Sequence, residues 1–173
     1  MTPLLFAHLV TLALFMGLLL AAAIGDVQNY RIPNAYSLVL LALYPIYALS
    51  APHPVQPLLS LAVMAGVFAI GFAIYAFNAM GGGDVKLLTA AALYAGPQLA
   101  LEFMAITAIA GGLVATLMLH RPLRTQLAAA LDSIGNRTLR DTLLTDVVPH
   151  GVAIAAGGVY LTLRLVGLLA DAA

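Results

Sequence analysis

The sequence contains no cysteine and no tryptophan, and only 8% of its 173 residues are charged. Without cysteine there are no disulfide bonds, no thiolate metal sites and no catalytic thiol. A soluble domain carries about 25% charged residues, so the few charges present here cannot cover a surface that faces water. Seven cationic and seven acidic side chains leave the chain with no net charge. This balance argues against nucleic acid as a partner.

Apolar residues are abundant and make up 63% of the chain. A bilayer core about 30 Å thick is crossed by about 20 apolar helical residues. We therefore expect an all-α polytopic membrane protein, a single domain over residues 1–173 with about six transmembrane helices and the lipid bilayer as its surroundings. The predicted spans cover residues 4–24, 35–50, 58–79, 85–95, 99–119 and 147–169.

The fourth predicted span, residues 85–95, is short, and the distribution of positive charge decides that it is counted as a crossing. As a helix it covers only about 16 Å. Lysine and arginine prefer cytoplasmic loops. With six crossings and the N-terminus outside, the cytoplasmic side holds six of the seven cations, namely Arg31, Lys86, Arg121, Arg124, Arg137 and Arg140. If residues 85–95 did not cross, four of these arginines would lie outside.

The longest polar stretch is the segment 121–145. Its apolar residues recur at helical spacing, which predicts one amphipathic face made of Leu123, Leu127, Leu131 and Ile134. Such a helix fits the cytoplasmic membrane interface. Its role is interpreted as a connector packed on the bundle, with contact to the substrate as the alternative.

Two aspartates are predicted to lie on the same side of the membrane. Asp26 follows the first span, and Asp84 follows the run Gly81-Gly82-Gly83 after the third span. Two crossings separate them, so both fall at one face in either orientation. Two carboxylates held close in a partly dehydrated site cannot both ionise without a large cost in free energy, so they share a proton. A water molecule between them can then be activated to hydrolyse an amide. The glycines break the helix and leave room for an extended peptide.

The same residues also fit structural roles and another class of protein. Asp26 can end a helix in the headgroup region, and Asp84 can cap the next helix. A small transporter or channel can use aspartates to bind a cation or to relay protons. Such a protein is expected to carry charged side chains near mid-membrane on several helices, and these are scarce here.

Three segments resemble a known family. Gly81-Gly82-Gly83-Asp84 matches the Gly-x-Gly-Asp motif of intramembrane aspartyl proteases, and Asp84-Val85-Lys86-Leu87 resembles its form in type IV prepilin peptidases. Asp26 followed by Arg31-Ile32-Pro33-Asn34 is similar to that family's first catalytic segment. Pro149-His150-Gly151-Val152-Ala153-Ile154 resembles its last-helix signature, with His150 where an aromatic residue is usual. The chain is most similar to the short form that serves Flp/Tad pili; presenilin-like proteases are longer.

This resemblance implies an aspartic endopeptidase with Asp26 and Asp84 as its catalytic pair, and it implies neither metal nor cofactor. The expected substrate is a prepilin or pseudopilin, whose short basic leader is removed after glycine at the cytoplasmic face of the bacterial inner membrane. Larger relatives carry a cysteine-containing domain and also N-methylate the new terminus. Because this sequence has no cysteine and no room for that domain, we expect cleavage only. An archaeal preflagellin-type peptidase and a non-enzymatic pilus-assembly subunit are the alternatives. The oligomeric state is left open.

Further site residues are predicted around this pair of aspartates. Those expected to bind substrate or shape the site are Gly81, Gly82, Gly83, Lys86, Arg31 and Asn34. Lys86 either extends to the cytoplasmic surface or tunes Asp84 electrostatically, and Arg31 and Asn34 are expected to hold the loop near Asp26.

Two features away from the aspartates complete the sequence-based predictions. Glu102 and Arg164 are expected at similar depths near the outer ends of their helices, which suits a structural ion pair; independent extension of each charge to the outer surface is the alternative. The four histidines, at positions 8, 53, 120 and 150, are expected on different spans and faces, so no metal site is predicted.

Overall fold

The structure is a computed structural model that describes residues 2–144 and 148–171. Within these residues the chain is all-α, as expected, and forms seven helices: α1 (Pro3–Asn29), α2 (Asn34–Ser50), α3 (Pro57–Ala76), α4 (Gly82–Leu119), α5 (Arg121–Ser133), α6 (Arg137–Leu144) and α7 (His150–Asp171). Two predicted boundaries, Thr145 of the amphipathic segment and Val147 of the last span, lie outside the described residues.

Local signals place the ends of α1. The Thr2 side chain accepts a hydrogen bond from the Leu5 backbone N–H at 3.3 Å, and Pro3 occupies the first turn, where its missing N–H has no consequence. The helix continues past the predicted end at residue 24 and stops at Tyr30, whose φ of 51° is left-handed. Because of this extension, Asp26 lies on the last helical turn rather than in a loop.

The helix α4 folds back on itself at Gly96, where a φ of 57° and a ψ of −172° interrupt the helical backbone just before Pro97. Only glycine adopts this conformation without strain. After the break, Glu102 lies beside Arg164 and Gly111 packs on Ala153, so this half of α4 runs antiparallel to α7. Residues 85–95 and 99–119 are therefore two opposed segments, as the sequence predicts.

The core lies where α1, α2, both halves of α4, and α7 meet. Its fully buried side chains include Phe15, Leu19, Leu40, Leu87, Phe103 and Leu161. Two glycines let α7 approach its neighbours closely: Gly157 faces Thr107 and Phe103 of α4, and Gly158 faces Leu19 of α1. Small residues at such positions are typical of helices that pack within membranes. The helix α3 packs on α4 and leaves most of its surface exposed.

Within the described residues, four helices are long and apolar enough to cross a membrane: Pro3–Asn29, Pro57–Ala76, Gly82–Leu119 and His150–Leu168. The helix Asn34–Ser50 is apolar but shorter. This supports a polytopic membrane protein, while the number of crossings and their orientation stay predictions.

The segment 121–145 forms two helices rather than one, because Gly135 adopts a φ of 75° and reverses the chain between α5 and α6. Arg140 of α6 joins them through an ion pair with Asp132 of α5 at 2.9 Å, and it also pairs with its neighbour Asp141 within α6 at 2.8 Å. Thr142 donates a hydrogen bond to the Val27 carbonyl of α1 at 2.8 Å. The segment is thus attached to the bundle near the end of α1.

The expected apolar face of this segment exists and is mostly exposed. Leu123, Leu127 and Ile134 are exposed and Leu131 is half-buried, whereas Arg124 and Ala128 of α5 are buried. The Arg124 guanidinium donates to the Met118 carbonyl at the end of α4, at 3.1 Å. The polar contact with α4 fixes α5 and leaves the leucines facing outward.

The predicted ion pair between α4 and α7 is confirmed. The Nε atom of Arg164 lies 3.3 Å from Oε2 of Glu102, and the Tyr160 hydroxyl donates a hydrogen bond to the same carboxylate oxygen. These residues lie far along α7 from its first turn, at the opposite end of the bundle from Asp26 and Asp84.

The expectation that all histidines lie apart is wrong for two of them. The rings of His8 and His53 have centroids 5.8 Å apart, and His8 stacks on Tyr47 at 5.2 Å. The N-terminal part of α1 and the loop after α2 meet at this end of the bundle. Spacing along the chain could not show this contact because it depends on how the two elements pack.

Candidate active site

The first turn of α4 positions Asp84, and the last turn of α1 positions Asp26. Both side chains are mostly buried, with residue exposures of 7% and 6%. The Gly81 backbone N–H donates to Oδ2 of Asp84 at 3.2 Å, so this aspartate caps the start of its own helix. Its other oxygen, Oδ1, is buried without a hydrogen-bond partner. The capping role considered from sequence is therefore real and still leaves one carboxylate oxygen free.

The loop after α1 lies directly against the glycine run that precedes Asp84. A Cβ atom added at Gly83 would come within 2.9 Å of the Ile32 carbonyl oxygen, so only glycine allows this approach. The close contact brings the ends of α1 and α4 together. It explains in physical terms why position 83 lacks a side chain.

The start of α7 contacts both aspartates. The Gly151 backbone N–H donates a 2.8 Å hydrogen bond to Oδ2 of Asp26. The Nδ1 atom of His150 lies 4.0 Å from Oδ2 of Asp84. An N-terminal helical N–H has no partner within its own helix and favours a negative charge. His150 and Gly151 stand in the predicted last-helix signature, yet they were not predicted as site residues, and that signature was the signal available.

Asp26 and Asp84 line one cavity of about 410 Å³, at the end of the bundle that we call the aspartate end. The other lining residues are Tyr30, Arg31, Ile32, Pro33, Asn34, Gly81, Gly82 and Gly83. All the predicted site residues except Lys86 therefore border this cavity.

Lys86 lies just outside the cavity. Its Nζ atom donates a 3.0 Å hydrogen bond to Oδ1 of Asn34 on the first turn of α2. The contact ties α2 to α4 next to the cavity. This contact between helices is neither of the two roles considered for Lys86 from the sequence, and both of those stay predictions.

The arrangement has the chemical parts needed to hydrolyse an amide. Two neighbouring carboxylates that share a proton can bind a water molecule, remove its proton and protonate the substrate carbonyl. The open cavity beside them can admit both water and an extended peptide. Among the described residues, no three histidine or carboxylate side chains are arranged to hold a metal ion.

Comparison with known proteins bears on the same residues. The model of the type IV leader peptidase family matches residues 13–116, which include Asp26, Asp84 and the glycine run between the third and fourth predicted spans. No curated protein and no solved structure matches the chain. The family match covers more than half of the sequence and confirms the family resemblance, with the last-helix segment 149–154 outside the matched residues. This membrane protein therefore belongs to the type IV leader peptidase family.

Proposed function

We propose that this peptidase removes the short basic leader from prepilin-like substrates at the cytoplasmic face of the inner membrane. The observation that carries the proposal is the single cavity lined by Asp26 and Asp84, with the start of α7 in contact with both. Family membership supports leader cleavage in general. The proposal adds to this general activity a specificity for prepilins and a mechanism that uses the two aspartates.

In this mechanism the two aspartates take different roles. Asp26 is the base, because the 2.8 Å hydrogen bond from the Gly151 N–H favours its ionised form. Asp84 is the acid, because its Oδ1 has no partner in the structure and can carry the shared proton toward the substrate. Asp26 removes a proton from water as the oxygen attacks the scissile carbonyl carbon, and Asp84 protonates the carbonyl oxygen. Asp26 then gives its proton to the amide nitrogen and Asp84 takes one back from a hydroxyl of the tetrahedral intermediate as the C–N bond breaks, which releases the leader with a new carboxylate end and leaves the mature chain with a new amino end.

The placement of charges supports the proposed orientation. The predicted cytoplasmic side holds most of the cations, and Arg31 borders the cavity itself. A basic leader stays on the cytoplasmic side for the same reason that basic loops do. The transporter alternative expects charge along the bundle, whereas Asp26 and Asp84 lie at one end and Glu102 and Arg164 at the other.

The test is co-expression with candidate prepilins, followed by the mobility shift that accompanies leader removal. We expect Asp26→Ala and Asp84→Asn each to abolish cleavage while the protein still inserts into the membrane. Asp132→Asn is the matched control, because Asp132 is exposed on α5 and pairs only with Arg140 among the described contacts. Full cleavage by either aspartate variant would overturn the mechanism.

A further inference from the structure

His150 stands on the first turn of α7 and faces both aspartates of the proposed active site. Its Nδ1 atom lies 4.0 Å from Oδ2 of Asp84, which is too far for a hydrogen bond. The contact is therefore electrostatic, and it acts as an ion pair only when the imidazole is charged. The Gly151 N–H, one residue further on, donates to Asp26 at 2.8 Å and fixes the place where α7 begins.

The His150 ring is more accessible to water than the carboxylate beside it. Its side chain is 30% exposed, compared with 10% for the side chain of Asp84. Among the described contacts, the ring makes no hydrogen bond that would fix its protonation state. Histidine is the side chain that ordinarily changes its charge between about pH 5 and pH 8. The ring can therefore gain and lose a positive charge next to the aspartates.

The charged groups that face His150 come from the two helices on which α7 packs. They are Asp26 on α1 and Asp84 on α4, and the first turn of α7 adds no acidic side chain of its own. The dipole of a helix disfavours a cation at its N-terminus, so the two carboxylates are what attracts a positive charge to this ring. Tyr30 and Arg31 also border the cavity, and residues of these types keep the same charge between about pH 4 and pH 8.

We infer that His150 is a positioning residue of this peptidase, whose positive charge keeps one of the two carboxylates ionised and so extends cleavage to more acidic pH. The inference rests on the proposed function. The pair of aspartates is active while it holds one proton, because one carboxylate acts as the base and the other as the acid. A second proton removes the base. A cation 4.0 Å from Asp84 opposes the uptake of that second proton.

The distance between His150 and Asp84 sets the expected size of this effect. Two unit charges about 4 Å apart in a partly hydrated site interact strongly enough to move a protonation equilibrium by about one pH unit. The aromatic residue that is usual at this position of the family has no such charge to supply. A purely structural role for the ring, as the first residue of a packed helix, is the alternative that experiments must separate from the electrostatic one.

The pH profile of kcat/KM for leader cleavage tests the role of this charge. His150→Tyr places a neutral ring at the same position, and His150→Lys restores a cation. We expect the acid side of the profile to move to higher pH by about one unit in His150→Tyr, and to return toward its original place in His150→Lys. His120→Tyr is the matched control, because the His120 ring caps α5 and does not border the cavity.

A purely structural role for His150 gives a different result. In that case His150→Tyr and His150→Lys both lower kcat/KM by a similar factor at every pH, while the acid side of the profile stays in place, and the inference is overturned. It is also overturned if the acid side moves in the same way in both variants, since a restored charge would then have no effect. Thermal unfolding in detergent checks that each variant is folded.

Chemical labelling separates this inference from the proposed function, because it needs no catalytic activity. With Asp26→Asn in place, Asp84 is the single carboxyl group of the pair, and a diazo ester labels it while it is protonated. We expect labelling of Asp84, followed by mass spectrometry, to begin at a pH about one unit higher when His150→Tyr is added. No displacement would overturn the inference alone. If the unmodified protein cleaves no prepilin at any pH while the displacement is present, the proposed function fails, although the charge of His150 still acts on Asp84.

Discussion

The Gly151 backbone N–H donates a 2.8 Å hydrogen bond to Oδ2 of Asp26, so the last helix begins directly on the carboxylate at the end of the first. The two residues are far apart in sequence, and the contact closes the bundle around the cavity. The absence of a side chain at Gly151 makes it possible. A Cβ atom there would lie 3.0 Å from both Cβ and Oδ2 of Asp26.

Replacing Gly151 is therefore expected to disturb the active site more than the fold. In Gly151→Val the added methyl groups push Asp26 away from the start of α7 and weaken the hydrogen bond that favours its charge. We expect kcat/KM for leader cleavage to fall by about one to two orders of magnitude. Gly112→Ala is the control, since nothing lies within 4 Å of a Cβ atom there. Unchanged cleavage by Gly151→Val would contradict a role for this contact.

Local sequence signals predicted much of the fold. The Gly96-Pro97 pair ends one apolar segment and begins another, and the structure reverses at that point because Gly96 has a positive φ. Parity of crossings placed Asp26 and Asp84 on one side, and the structure brings them to one cavity. Both inferences need only the chain order and the length of each apolar run.

Contacts that depend on tertiary packing could not be predicted from the sequence. The predicted leucine face lies on α5, but the turn at Gly135 and the burial of Arg124 against the end of α4 could not be read from residue spacing. The contact of His8 with His53 joins two elements that share no periodic pattern. The hydrogen bond from Gly151 to Asp26 likewise depends on the angle at which α7 enters the bundle.

The glycines of α7 are expected to carry much of its packing. A Cβ atom at Gly158 would overlap the Leu19 side chain, and one at Gly157 would overlap Thr107. Because neighbouring helices must separate to admit a larger residue, Gly158→Val should lower the free energy of unfolding by about 1–3 kcal/mol. Thermal unfolding in detergent measures this change. Gly167→Ala on the same helix, where nothing lies within 4 Å, should leave the unfolding midpoint nearly unchanged.

The ion pair of Glu102 and Arg164 is expected to matter for stability and not for cleavage. Both side chains are about half exposed, so the coupling should be about 1 kcal/mol or less. Glu102→Arg and Arg164→Glu should each lower the amount of folded protein in the membrane, because each places two like charges together. The double reversal should recover most of that loss, with the cleavage rate per folded molecule unchanged throughout. Failure of the double variant to recover would show that the two residues act independently.

The burial of His53 should make stability depend on pH. His53 lies in the loop between α2 and α3, and burial lowers its pKa below the ordinary value of 6.5. The folded state then binds fewer protons than the unfolded state near that pH. The stability contributed by neutral His53 is fully present above about pH 6.5 and is lost as the pH falls below it.

The contacts of the His53 ring explain why the folded state favours its neutral form. Neutral His53 shares a 3.3 Å hydrogen bond between its Nε2 atom and the Tyr47 hydroxyl, and its ring meets that of His8 edge to face. A charge on His53 would lie beside these buried rings, with its Nδ1 atom lacking any partner. In thermal unfolding between pH 5 and pH 8, His53→Gln should flatten the acid side of the profile. His120→Gln, which changes an exposed histidine before α5, should keep the slope. A profile for His53→Gln that matches the unmodified protein would show that another group governs the acid response.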